Sequence, residues 1–530
     1  MQYVLSYDIG TTGLKSCLIR IDETIELLGG EYETYGLYIL ENGGAEQDAE
    51  EWWDAMCKST RRLVEKTGIN PKDIDGIAFC SQMQGMVLVD KEGNALRRPM
   101  SYMDQRGARE MKETEQHGLT ISGVNAGMLI KSLRATHAAS TSVKDPLWKY
   151  KWVQKNEPEI YEKVYKWLDV KEYLICRMTG ECVMTPDSAY STFLYDTRPG
   201  KVGFSKALCK MYGIDFNHMP KIIGCTEIAG KLRVKQAEEL GLTQGIPVYG
   251  SGGDATLIGV GAGATQMNDT HIYCGTSGWV GTVIDKQVVD IVAMIAGIVG
   301  AQEGKYNYFA EMETAGKCFE WVKDHLALDE IDIYLSKADV EHSPESECVS
   351  LYDYLSEVIK KVPAGSGGVL FTPWLHGNRC PFEDPKAAGM FFNIGIETGK
   401  SEMLRAVIEG ICFHLRWMLE SQDKKIKTSD TIRFVGGGAL SEVTCQILAD
   451  ILNRRIATVP YTKDVGAMGA AMLVAVGSGE VKSLAEMKDY VKIKKVFKPN
   501  PANREVYEKH YQVFKKLYKC NAKNFAALNG

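Results

Sequence analysis

A single carboxylate closes a glycine turn in the stretch Gly250-Ser251-Gly252-Gly253-Asp254-Ala255. Further along comes Tyr273-Cys274-Gly275-Thr276-Ser277-Gly278. Glycines let a backbone approach a phosphate closely, and Thr and Ser hydroxyls can bind its oxygens. A carboxylate beside such a loop repels the phosphate unless a metal or a substrate hydroxyl lies between them. That pairing of residue types points to phosphoryl transfer.

The elements that must position these groups can be read from the chain. Tyr3 to Ile9 reads as a buried strand, Gly10-Thr11-Thr12-Gly13 as a turn and Lys15 to Ile19 as a returning strand, with Asp8 near the tip. Ile272 to Val280 repeats the device around Gly275-Thr276-Ser277-Gly278. Two similar halves facing one cleft is the simplest account, and two unrelated hairpins the alternative. The residues after Asp254, Ala255 to Ala262, suit a short helix, whose dipole would favour the ionised acid. The alternative for Asp254 is a plain helix cap. Ile432 to Val435 is a strand running into Gly436-Gly437-Gly438-Ala439, with a helix, Ser441 to Leu452, behind it. Glycines that bare the backbone at a helix start often hold a nucleotide.

Asp48 to Lys66 is an amphipathic helix, and Ile74 to Cys80 is a strand that leads into Ser81-Gln82-Met83-Gln84-Gly85-Met86. Ligands bind at strand ends in α/β sheets, so Gln82, Gln84, Asp104, Gln105 and Arg106 could bind hydroxyls. Equally, Asp104 and Arg106 could cap and start a helix over 107–116. Trp148 and Trp152 share one helix face and read as core. Thr185 to Ala189 is a polar turn. Gly395 to Ser401 resembles a P-loop but has Ile394 where the motif needs glycine, so Ser401 is expected to cap a helix over 402–419. Gly466 to Ala471 opens a tightly packed small-residue helix, and a terminal helix is expected over 502–518.

The 530 residues exceed what one core sustains, so at least two domains are expected. Net charge is -6, without a basic block, which argues against a nucleic-acid partner. The 14 cysteines form no CxxC pair and read as reduced, mostly buried thiols of a cytoplasmic protein. An acid arrives too early in the first residues for a signal peptide. The longest apolar run, Ile291 to Ala301, is too short to span a bilayer and fits a buried strand or strand pair.

Taken in order, these stretches resemble the FGGY-type carbohydrate kinases, nearest to the xylulokinases among them. The matching segments are Asp8 to Thr12, Gln82 to Gly85, Met103 to Arg106, Gly252 to Asp254, Gly275 to Gly278, Phe371 to Phe392 and Gly436 to Ile456. The tail from Phe497 to Pro501 and its aromatic helix is similar too, so the likeness covers nearly the whole chain. The resemblance implies an α/β chain of two actin-like, ribonuclease H-like domains around a central cleft. Residues 1–250 would form the sugar-binding half, and residues 251–530 the ATP-binding half with its helical tail. It implies ATP and Mg²⁺ as cofactors, a small sugar or polyol as partner, no membrane, and leaves a homodimer open. Asp254 would be the catalytic base. Met83, Gln84, Asp104 and Asp254 would contact the sugar. Thr11, Thr12, Gly275, Thr276 and Ser277 would hold phosphates, Gly436, Gly437, Gly438 and Ala439 would border the adenosine, and Asp8 would orient Mg²⁺. Phosphoryl transfer needs positioning and charge neutralisation more than a strong base, so an ordinary carboxylate pKa is expected to suffice.

Two departures bear on substrate. Xylulokinases usually have His where this chain has Gln84, and Asn where it has Ala255. A pentulose such as D-xylulose leads, with ribulose, fuculose, gluconate and polyols open. Outside this class stand an actin- or chaperone-like ATPase and a non-catalytic sugar-binding protein on the same scaffold.

Overall fold

The computed structural model describes residues 1–121, 124–326 and 350–530. The first of its two large sheets has seven strands. β1 (Gln2–Ile9), β2 (Gly13–Ile21) and β3 (Ile25–Thr34) form an antiparallel meander. On the other side of β1 runs the parallel β4 (Gly76–Ser81), followed by β6 (Pro247–Tyr249) and the edge strand β5 (Ile228–Lys231). A short strand, β7 (Gly252–Gly253), also pairs with β4. β4 is buried at every position, as expected of a strand covered on both faces. One cover is α1 (Ala49–Thr67), started by the Asp48 carboxylate accepting the Glu50 N–H and stopped by Gly68 at φ 67°. Its Trp52, Met56 and Leu63 enter the core beneath the sheet.

The second sheet has eight strands and repeats the scheme. β8 (Thr270–Cys274) lies between the antiparallel β9 (Gly278–Ile284) and the parallel β13 (Thr431–Val435), just as β1 lies between β2 and β4. Beyond β9 come β12 (Tyr306–Met312), β11 (Ile295–Val299) and β10 (Val289–Asp290). Beyond β13 come β14 (Arg455–Thr458) and β15 (Lys495–Phe497). α7 (Lys400–Asp423) and the terminal α10 (Arg504–Leu528) bury this half's aromatic core around Trp374.

α9 (Val465–Gly477) follows the second sheet in sequence but lies on the first. Every residue from Val465 to Ala475 is buried. Ser6 Oγ donates to the Ala467 carbonyl at 2.8 Å, and Gln2 Nε2 to Ser478 Oγ at 2.8 Å. Its small residues are required: a Cβ on Gly469 would stand 2.3 Å from the Leu257 carbonyl oxygen.

Several expectations are corrected. The apolar run from Ile291 to Ala301 holds the single strand β11 and, before it, the tip of the β10–β11 hairpin, which is open, with Ile291 72% and Val292 85% exposed. The cause is that the run crosses an edge hairpin. α7 begins at Lys400 behind Gly399, whose N–H is held by Glu402 Oε2 at 3.0 Å. Ser401 is therefore inside the first turn and not its cap. α10 runs ten residues past the expected Tyr518, to Leu528, because Phe525 still packs on Trp374. The described cysteines form no disulfide, and most are buried. Among the described residues no helix is long and apolar enough to cross a membrane.

Candidate active site

Strand register brings the first two acids together. Asp8, Cys80 and Gly252 stand side by side across β1, β4 and β7, with Ile9, Ser81 and Gly253 in the next row. Two strand spacings separate β1 from β7, about 10 Å in all. Past β7 the chain turns into α5 (Asp254–Gly261), with Asp254 as its first residue. The helix cap is Gly253, so Asp254 is not one. Gly253 is wedged: a Cβ there would lie 2.2 Å from Met83 Sδ, and its N–H donates to Asp187 Oδ2 at 2.7 Å.

Burial pushes the Asp254 carboxyl up to about 7, against the Ala255 N–H that donates to Oδ1 at 2.7 Å. The charges of Asp8 and Glu311 add to the rise. The expectation of an ordinary carboxylate pKa is thus corrected: desolvation outweighs the helix N-terminus.

Asp8 is also raised, first by burial and then by Asp464, with Lys15 opposing. Lys15 Nζ lies 3.9 Å from Asp8 Oδ2 and 3.3 Å from Asp464 Oδ1. The loop entering α9 closes on this group, since a Cβ on Gly466 would be 3.4 Å from Asp8 Cγ. The turn after Asp8 is held by Gly10 N–H to Gly13 O at 2.9 Å and by the Tyr35 hydroxyl on both carbonyls. Gln47 Nε2 donates to the Thr11 carbonyl at 2.6 Å, and Gln47 Oε1 accepts from Gln82 Nε2 at 3.1 Å. Gln82 Oε1 is buried without a partner, an acceptor suited to a ligand hydroxyl. Thr11 is half-buried and Thr12 exposed.

The second hairpin seats its turn on α6 (Gly316–His325). Gly316 N–H donates to Gly275 O at 2.7 Å, and Ala315 N–H to Thr276 O at 3.0 Å. Thr276 is exposed and Ser277 half-buried. Tyr273, just before the turn, is raised by burial and then by Asp254 and Asp8, which places its ring within electrostatic reach of both acids. The triple glycine lies against the same hairpin. Gly436 has φ 90°, and a Cβ on it would be 2.6 Å from the Cys274 carbonyl oxygen. Gly437 is exposed, and Ala439 is buried ahead of α8 (Glu442–Leu452).

On the sugar-side stretch Gln84 adopts a left-handed φ of 63°. Its N–H donates to Asp169 Oδ2 at 2.9 Å, and its carbonyl accepts Lys149 Nζ at 2.6 Å from α2 (Pro146–Asn156). Lys149 is fully buried, and that burial lowers it to about 8 against the pull of Asp104, Asp169 and Asp145. Asp104 is fully buried as well. It accepts Ala45 N–H at 2.8 Å and Arg106 Nη2 at 2.7 Å, and the Arg106 guanidinium lies 4.4 Å from the Trp152 ring centroid. Asp104 and Arg106 therefore lock each other and cap no helix; the cap of the next helix is Gly107. Trp148 is core as expected, whereas Trp152 backs this cation. Arg379, in the loop after Trp374, donates to Glu311 Oε2 at 2.6 Å, with Glu313 at 3.6 Å.

Sequence reasoning missed Glu311, Asp464 and Asp187. Glu311 lies inside a strand and Asp464 in an ordinary loop, so neither carries a local signal. Asp187 sat in the polar turn, and nothing in its neighbours tied it to Asp254.

The donor set suits Mg²⁺. Asp8 offers hard carboxylate oxygens, a quarter exposed, at the mouth of the phosphate turn. Among the described residues no three or more His, Cys, Asp or Glu side chains gather into a metal cage. Mg²⁺ rarely uses such a cage and binds through one or two carboxylates plus phosphates.

Comparisons with known proteins agree with this geometry. Residues 3–261 match the N-terminal domain model of the FGGY family of carbohydrate kinases, and residues 271–478 match the C-terminal domain model. A xylulose kinase of Staphylococcus epidermidis is 28% identical over 519 residues, covering 98% of this chain and 97% of the relative. A gluconokinase of Bacillus subtilis is 26% identical, covering 92% and 90%. The crystal structure of a ligand-bound xylulose kinase from Lactobacillus acidophilus superposes with a TM-score of 0.85 at 24% identity over the full length of both chains. The two sheet-rich halves are thus two actin-like, ribonuclease H-like domains.

Proposed function

The chain belongs to the FGGY family of carbohydrate kinases, enzymes that phosphorylate sugars, and from that premise we propose an ATP-dependent kinase of a neutral sugar, a pentulose such as D-xylulose first, with Asp254 as base. The observation that carries this reading is the placing of Asp254. It heads a helix two residues past Gly252, which stands in the row of Asp8, and lies within electrostatic reach of Tyr273 on the opposite hairpin, with its carboxyl pushed up to about 7. A base is most effective with a pKa near the working pH.

In the proposed reaction the sugar hydroxyl attacks the γ-phosphorus. An O–P bond forms, the bond to the β,γ-bridging oxygen breaks with its electron pair leaving on ADP, and Asp254 takes the hydroxyl proton. Thr11, Thr12, Gly275, Thr276 and Ser277 present amides and hydroxyls to the phosphates. Gly436, Gly437, Gly438 and Ala439 border the adenosine. Met83 and Gln84 shape the sugar pocket, and Asp104 meets the sugar through the lone pairs that Arg106 and Ala45 leave. Asp8 would hold Mg²⁺, which neutralises charge on the phosphate oxygens when bound. Closure of the halves excludes water as a competing nucleophile. The division into a sugar half, 1–250, and a nucleotide half, 251–530, belongs to the proposal. β7 and α5, at the start of the second segment, carry Asp254 back onto the first sheet, so base and sugar share one wall.

A neutral acceptor is favoured because the cations around the acids are already engaged. Lys15 is bound by Asp8 and Asp464, Arg106 by Asp104 and Glu46, Arg379 by Glu311 and Glu313, and Lys149 by a carbonyl. A sugar carboxylate would meet these acids without a free counter-charge. The test is ADP release with D-xylulose, D-ribulose, L-fuculose, erythritol, glycerol and D-gluconate. Fastest turnover is expected with a neutral ketopentose. Gluconate outrunning every neutral acceptor would overturn the charge argument. Fast ATP turnover unaffected by any sugar would favour the ATPase alternative, and sugar binding without product would favour the binding protein.

A further inference from the structure

The Asp254 carboxylate is addressed by main-chain amides, its own and that of Ala255. Whatever fixes the main chain at the β7–α5 junction therefore fixes the base. Asp187 reaches that junction from outside: its Oδ2 accepts the Gly253 N–H at 2.7 Å, one residue before Asp254, while Asn307 Nδ2 donates to the Ala255 carbonyl at a longer 3.4 Å.

Asp187 sits in α4 (Pro186–Ser191) at 2% exposure and is itself held from behind. Its Oδ1 accepts the Thr185 hydroxyl at 2.6 Å, and the Cys225 thiol lies at 3.7 Å. The Thr185 oxygen in turn accepts from Lys171 Nζ at 2.6 Å. Lys171, on α3 (Val170–Thr179), also donates to Ser188 Oγ at 2.9 Å and to the carboxylate of Glu172. All of these side chains are at most 2% exposed apart from Cys225, at 3%. Burial alone would drive Lys171 towards its neutral form, but Glu172 and Asp187 hold it charged.

The result is a dry chain from ammonium to hydroxyl to carboxylate to amide, ending beside the base. Such a chain is worth its desolvation only when every member is satisfied. Here the Lys171 ammonium, the Thr185 hydroxyl, both Asp187 oxygens and the Gly253 amide each have partners, and the one orphan, Glu172 Oε2, lies at the far end from the base. The other face of Gly253 is blocked by Met83, and a Cβ on Gly252 would already stand 3.2 Å from Asp187 Oδ2. The junction is thus clamped between a sulfur and a carboxylate.

We propose that Asp187, braced by Thr185 and Lys171, is a positioning residue that sets the direction in which Asp254 faces the acceptor hydroxyl. The proposal rests on Asp254 being the base. It touches no substrate and predicts an effect on turnover, not on nucleotide affinity.

The test compares Asp187→Ala, Asp187→Asn, Thr185→Val and Asp254→Asn with the parent, using the fastest acceptor from the panel above. Asp187→Ala should lower kcat about 10- to 100-fold, the scale of a slightly misplaced reacting group, with KM for ATP within about twofold. Asn keeps an acceptor for the Gly253 amide and should recover most of that loss. The acid limb of the kcat/KM profile should stay where it is in the parent, because the base is displaced and not retitrated. Parent-like kcat in Asp187→Ala would overturn the proposal, as would Asn faring no better than Ala. If the alanine variant does not fold, Thr185→Val decides: a fall in kcat of about threefold or more at unchanged KM for ATP supports the brace, and parent-like kcat refutes it. Asp254→Asn separates the two ideas. Full turnover there defeats the base assignment itself, whereas an inactive Asp254→Asn beside a fully active Asp187→Ala defeats only the positioning role.

Discussion

The hairpins β1–β2 and β8–β9 share a plan and differ in charge at the cross-strand pair two residues before the turn glycine. In each, a central strand has an antiparallel neighbour on one side and a parallel one on the other, and a Gly-Thr turn at the tip. In the first, Asp8 stands opposite Lys15, and the pair is completed by Asp464 from the other half. In the second, Tyr273 stands opposite Trp279, and the two rings stack at 4.1 Å. One position thus holds a titrating ion pair in one copy and an aromatic pair in the other. Only the first hairpin carries a carboxylate at this position, so the repeated scaffold does not repeat its charge. The second turn is left to bind with amides and hydroxyls, which suits a nucleotide already rich in negative charge.

The sharpest break in this asymmetry lies beside the first hairpin. Asp254→Asn should lower kcat about 10²- to 10⁴-fold, the usual contribution of a general base, with ATP affinity little changed. In the parent, kcat/KM should fall about tenfold per pH unit below about 7 and level off above it, as Asp254 titrates. Stability should run the other way. A carboxyl raised by burial contributes least when ionised, so stability is lost as pH rises through about 7. Asp254→Asn should accordingly melt higher than the parent at pH 8, with the gap closing at pH 5, readable by thermal scans at both pH values.

Asp8→Asn comes next. It should cost about 10- to 100-fold in kcat/KM, partly recovered by excess Mg²⁺, as for perturbed metal sites. Rescue by excess Mg²⁺ in Tyr273→Phe instead would reverse the proposed division of labour. Gly436→Ala tests the backbone of the second half. With φ 90° and the Cys274 carbonyl 2.6 Å from the added carbon, it should cost about 1–3 kcal/mol of stability and raise KM for ATP. Thr276→Val should weaken ATP by the worth of one hydrogen bond, about 0.5–1.5 kcal/mol, seen as a rise in KM of up to about tenfold. Tyr273→Phe should be the mildest, within about twofold in kcat, because the stack on Trp279 survives loss of the hydroxyl.

Both hairpins, the acid after the double glycine and the glycine run before α8 were legible in the chain, because turns need particular residues at particular places. What was hidden depends on burial and on distant strands. Asp254 is expected to be an ordinary acid at a helix start, yet burial, helped by the charges of Asp8 and Glu311, raises it. Asp464 and Glu311 reach the site from a loop and a strand far along the chain, and neither is unusual among its neighbours. Asp104 and Arg106 were open between ligand and cap. Their mutual bond, backed by the Trp152 ring, removes the cap reading, and it was hidden because that pairing needs a helix forty residues on. Ile291 and Val292 looked like core because hydropathy cannot tell a strand centre from the tip of an edge hairpin.

α9 completes the first sheet's outer layer, yet it is translated after every strand of that sheet and all but the last strand of the second. Until residue 477 has left the ribosome, the β1–β4 face that α9 covers stays open to water, and with it the wall that Gly466 builds against Asp8. From the end of β7 at Gly253 to the end of α9 at Gly477 the first sheet must wait, unsealed, through about two fifths of synthesis. Cutting the gene between the two domains would leave a fragment lacking its own lid, one that regains a closed face only when the missing helix is supplied in trans.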